Sequence, residues 1–137
     1  MSQEIIEQIK NNPFGEIDES IFIDNQEYQI TYQWKRRISI SIRRKQSLIT
    51  DTAVFEIRKL PIMSMIVRSP QYSLRGEKTE LTEKLLLNQY TRALLYFPTS
   101  KISCQNHQIS YTAKLRRKDS DQLETIIEHF RALLTTL

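Results

Sequence analysis

The sequence predicts an α+β fold: an antiparallel sheet of about five to seven strands with helices packed on one face, in the order helix, strands, helix, two strands, helix. Three observations carry this. Apolar residues recur at helical spacing near both ends and once in the middle of the chain. Between Ser20 and Ser69, and again after Lys101, the spacing falls to two, with many β-branched and aromatic residues. No repeat or low-complexity linker interrupts the 137 residues, which suffice to bury about two-thirds of the surface of the unfolded chain. Residues 1–137 are therefore expected to form one domain, with 1–19 as an acidic N-terminal helix or mobile arm.

The opening SQEIIEQIKNNP places Ile5, Ile6 and Ile9 on one helical face, with Ser2 as cap and Pro13 as stop. Several strands follow. In LTEKLLLNQYTRALLYFP, the residues Leu86, Leu87, Tyr90, Ala93, Leu94 and Phe97 predict one central helix, capped by Thr79 and ended by Pro98. KISCQ and QISYTAKLRR flank an Asn106-His107 turn. The final helix is the clearest element: Leu123, Ile126, Ile127, Phe130, Leu133, Leu134 and Leu137 hold one stripe, behind an Asp119 or Ser120 cap. This element order is similar to that of small type III secretion chaperones, an analogy of order alone, since those proteins are typically acidic.

The stretch WKRRISISIRRK concentrates charge on a strand. Tyr28, Ile30, Tyr32, Trp34, Ile38, Ile40 and Ile42 are all even, whereas Lys35, Arg37, Ser39, Ser41, Arg43 and Lys45 are all odd. A two-residue hairpin at Lys35-Arg36 would put Trp34 and Ile38 on opposite faces, so either a long bent strand or a three-residue loop is expected. The even face then packs on the helices. Lys35, Arg37, Arg43 and Lys45 become the candidate residues for binding a polyanion or a protein partner. The plainer role for the same charges is to keep an Ile-rich strand from aggregating. No aromatic shares their parity.

Charge is segregated along the chain. Residues 1–34 hold seven acidic residues against Lys10, residues 35–118 eighteen basic against five acidic, and residues 119–137 four acidic against Arg131. The acidic ends are expected to meet the basic centre of their own or a neighbouring copy.

Two glycines are too few for any glycine-rich phosphate loop or dinucleotide fingerprint. The lone Cys104 forbids an internal disulfide and suits a reducing compartment, so a cytoplasmic location is expected, with no membrane span and no secretion leader. Cys104 and His107 have C-x-x-H spacing, but a zinc site lacks its other ligands and a nucleophile–base pair lacks a third group. No catalytic residue, metal or cofactor is assigned. The expected function is a non-enzymatic protein-interaction or scaffold/chaperone-like domain that self-associates. The alternative is binding of nucleic acid or another polyanion through residues 35–45.

Overall fold

The computed structural model describes residues 3–45, 54–59, 72–97 and 99–137. Seven antiparallel strands form one sheet: β1 (Gly15–Ile23), β2 (Gln26–Trp34), β3 (Arg37–Arg44), β4 (Phe55–Lys59), β5 (Tyr72–Gly76), β6 (Lys101–Gln105) and β7 (Gln108–Arg116). They lie in the order β1-β2-β3-β7-β6-β4-β5. An N-terminal meander and a C-terminal block thus meet where β7 pairs with β3. Helices α1 (Gln3–Asn11), α2 (Glu80–Leu87), α3 (Gln89–Leu95) and α4 (Leu123–Thr136) complete the α+β fold. The expected Ser2 cap, the Pro98 stop and the parts of the expected strand region at 46–53 and 60–69 lie outside the described residues.

Alternation decides which face is covered. Tyr28, Ile30, Tyr32, Trp34, Ile38, Ile40 and Ile42 are all buried, together with Ile109, Tyr111, Ala113 and Leu115 of β7. Against them pack Leu123, Ile126, Ile127, Phe130, Leu133 and Leu134, and the Phe130 ring meets Tyr28 edge-on at 6.3 Å. The sheet crosses from β2 to β3 through the three residues 35–37, because Trp34 pairs with Ile38. None of the three has positive φ, so this turn needs no glycine. The hairpins β1–β2 and β6–β7 do use the left-handed region, supplied by Asp24, Asn25, Asn106 and His107.

The first nineteen residues divide at Pro13. Helix α1 buries Ile5, Ile6 and Ile9, and Gly15–Glu19 form the first half of β1, so the boundary expected at residue 19 falls inside a strand. Gly15 is opposite Trp34, whose ring occupies the space a side chain would need: an added Cβ would stand 2.4 Å from it. The Trp34 indole donates to the carbonyl of Asn12 at 3.1 Å. Arg117 closes the same corner, donating to the carbonyls of Asn12 (2.6 Å), Pro13 (2.9 Å), Lys35 (3.1 Å) and Ile9. A cation there satisfies acceptors that the C-terminus of α1 leaves unpaired.

Two expectations need correction. The central helix is two helices, broken at Asn88, whose backbone is extended (φ −79°, ψ 132°). Its side chain accepts from the Tyr90 N–H at the start of α3 and donates to the Thr136 hydroxyl at 2.7 Å. Asn competes well for such bonds, which makes it a better cap than a mid-helix residue. The break uncouples the two apolar stripes: Leu85, Leu94 and Leu95 are buried while Leu87 is 83% exposed. Thr79 does cap α2, in reciprocal bonds with Thr82. The second correction concerns α4, which neither Asp119 nor Ser120 caps. Both sit in a 3₁₀ segment (Arg117–Gln122) that leads into the helix, where Asp119 pairs with Arg116 and Ser120 is buried.

Candidate functional site

The face turned away from the helices is largely polar, although it also carries the exposed Phe22 of β1. One row across all seven strands reads Asp18, Thr31, Ser41, Thr112, Lys101, Arg58, Ser73. The next reads Ser20, Gln29, Arg43, Ser110, Ser103, Glu56, Arg75. Charge therefore changes sign across the sheet, from the acidic edge β1 to the basic strands beyond β2. The acids of β1 engage neutral neighbours: Thr31 donates to Asp18, and Gln33 donates to Glu16 at 3.2 Å. On the covered face Tyr32 donates to Glu19 at 3.0 Å, and its hydroxyl is held far above the usual phenol range, chiefly by burial.

Three basic residues gather at one end of this face. Arg37 of β3 stands directly opposite Arg116 of β7, and Lys114, the next outward residue of β7, stands opposite Ser39. Like charges directly across a sheet destabilise it. Asp119 relieves Arg116 at 3.0 Å, but no carboxylate among the described residues pairs with Arg37 or Lys114. Farther along the face, Arg58 and Lys101 share Glu56, at 3.0 and 3.2 Å. The hydrogen bond from Arg58 leads the effects that hold the Glu56 carboxyl below its usual range.

Three concavities, of about 450, 580 and 1050 Å³, meet at this corner. Lys114 lines the first and third, Arg37 the second and third, and Ser39 the first and second. The largest runs past the end of β7 to α3 and α4, where it gains Arg92, Tyr96 and His129. Tyr96 is 75% exposed and Phe14, lining the second concavity, is 68% exposed. The cations are thus flanked by two open aromatic rings.

Of the four residues singled out in the sequence, Lys35 and Arg37 belong to this corner. Arg43 donates to Gln29 at 3.0 Å and Lys45 forms an ion pair with Glu27 at 2.9 Å, at the other end of β3 and its continuation. At ~3.4 Å per residue, Arg43 lies roughly 20 Å from Arg37 along the strand. Lys114, Arg116, Arg92 and Tyr96 were missed. The alternation in QISYTAKLRR does place Lys114 and Arg116 on one face; what it lacks is any sign that β7 pairs with β3.

The remaining candidates separate. Cys104 points into the core, whereas His107 is exposed on a turn, so the thiol and the imidazole occupy different environments. His129 packs beside Tyr90, ring centroids 6.0 Å apart. Among the described residues no group of three or more His, Cys, Asp or Glu is placed to hold a metal ion, and no helix is long and apolar enough to cross a membrane. This chain matches no protein-family model, no curated protein and no solved structure, which leaves the geometry of the basic corner as the guide to what it does.

Proposed function

We propose that this protein is a non-enzymatic, cytoplasmic domain that binds polyanions at the corner where Arg37, Lys114 and Arg116 converge. The observation that carries this is the facing pair Arg37 and Arg116, with Lys114 beside it and, among the described residues, Asp119 alone paired with one of them. A protein interior has no use for such an arrangement, and a solvated surface has no need to draw it into concave ground. An anion between the cations converts their repulsion into attraction. The reading takes up the polyanion alternative and moves its centre from residues 35–45 to the end shared by β3 and β7.

Fluorescence anisotropy with labelled polyphosphate, across a salt series, tests it. Binding is expected to weaken steeply as salt rises, and Arg37→Ser with Lys114→Thr is expected to flatten that slope. Arg43→Ser with Lys45→Thr should leave most of it. Absence of binding at about 50 mM salt, where such contacts are strongest, defeats the proposal.

Self-association is a second reading, favoured by β1, a nine-residue edge strand whose Phe22 is 72% exposed. Glu16 and Asp18 on that edge oppose pairing with another β1, and Arg75 on the opposite edge strand β5 complements it. Light scattering across protein and salt concentration separates the two readings, since head-to-tail edge pairing grows with protein concentration without any polyanion.

A further inference from the structure

We infer that the polyanion is a single-stranded nucleic acid, held by its phosphates on Arg37 and Lys114 and by a base stacked on Tyr96. This rests on the polyanion reading and goes beyond it by naming what the rings are for.

Charge alone does not account for the corner. Tyr96 sits in the largest concavity with Arg37 and Lys114, three-quarters exposed, its ring edge-on to Phe97 at 5.9 Å and an interplanar angle of 79°. Phe97 braces it from the side. A large aromatic ring left open beside cations is an unfilled stacking platform, since both water and simple anions leave its face unsatisfied. Phe14 offers a second such ring where Arg37 lines the neighbouring concavity.

The ligand classes divide on this feature. Polyphosphate and acidic polysaccharides carry charge but no aromatic face. A duplex carries bases whose faces are already stacked. An acidic peptide brings carboxylates without an obligatory planar partner at each step. Only an unpaired strand presents a phosphate and an open π-face in every residue, which is the combination that cations flanked by exposed rings can bind. Gln122 and Thr125 line the same concavity and supply hydrogen-bonding groups for base edges or a 2′-hydroxyl.

The test uses the full chain and anisotropy with four probes: oligouridylate, oligothymidylate, a duplex of the same length, and polyphosphate. Both single strands are expected to bind more tightly than the duplex. Tyr96→Ala is expected to weaken them about 5- to 150-fold, the range that corresponds to a stacking contact of about 1–3 kcal/mol, while leaving polyphosphate affinity unchanged. Tyr96→Phe should retain most of the binding. The uridylate and thymidylate arms distinguish RNA from DNA. Equal binding of duplex, single strand and polyphosphate, with no effect of Tyr96→Ala, overturns this inference while the polyanion reading stands. Failure of every probe, polyphosphate included, overturns both. Because the Tyr96 side chain is exposed, its removal tests the stack and not the fold.

Discussion

The two faces of the sheet obey opposite rules. On the covered face every even position of β2 and β3 from Tyr28 to Trp34 and from Ile38 to Ile42 is buried, each filled by an apolar or aromatic side chain. On the open face the same strands carry Gln29, Thr31, Gln33, Ser39, Ser41 and Arg43, polar residues that are half-buried or exposed. Stability is written on one side, and the other is free to be selected for something else. Where the open face departs from bland polarity, as at Arg37 and Arg116, the departure costs stability and so requires a different explanation.

Substitutions on the two faces should therefore differ in size and even in sign. The largest loss is expected from Phe130→Ala, which empties a fully buried position between α4 and Tyr28. Denaturant melts should show a loss of about 3–5 kcal/mol, and an unchanged midpoint would mean that α4 is not core. Gly15→Ala comes next, because its methyl group collides with the Trp34 ring, and strain of about 1–3 kcal/mol is expected, readable as a fall in Tm. Arg117→Met keeps the bulk but abandons the carbonyls of Asn12, Pro13 and Lys35. A loss of about 1–3 kcal/mol should come with faster amide exchange in α1; uniform exchange across the molecule would deny Arg117 this local role.

Arg37→Ser belongs to the other face and should leave stability unchanged or raise it by up to about 1 kcal/mol, the reverse of the three above. A clear destabilisation would show that Arg37 supports the fold and would blur the contrast between faces. The smallest effect concerns Glu56. Its carboxyl titrates lower in the folded chain than in the unfolded one, so its contribution is present above the ordinary carboxylate range and disappears as pH falls through the lowered folded value. Because Arg58 is about half exposed, Glu56→Gln should remove no more than about 1 kcal/mol of that pH dependence.

Much of this architecture is legible in the residues themselves. Period-two spacing assigns the faces of β2 and β3, and the stripe from Leu123 to Leu134 assigns α4, because burial imposes a repeat that composition cannot hide. The break at Asn88 is not legible that way: Leu87 and Leu94 are seven residues apart, a spacing that one unbroken helix also satisfies. Capping by Asn88, and its bond to Thr136 48 residues away, decide the matter. The basic corner was half visible for the same kind of reason. Arg37 stood out among its neighbours, but Arg116 lies across a pairing of strands distant in sequence, and Tyr96 reaches the groove from another layer. Local patterns report which way a side chain faces, and not what faces it.

The position of β7 has a consequence for how the chain comes into being. It is the last of the seven described strands in chain order, yet it sits in the middle of the sheet, between β3 and β6. Until it emerges, the meander β1-β2-β3 waits with the inner edge of β3 unpaired, and α1 lacks the Arg117 clamp, whose contact with Ile9 spans 108 residues. Such non-local closure is slow and exposes strand edges to other chains. The waiting edge is the one that alternates Ile38, Ile40 and Ile42 with Arg37 and Arg43. Cations beside an Ile-rich strand disfavour its pairing with a second copy of itself, so the edge that must wait for β7 is also the one that carries Arg37 and Arg43.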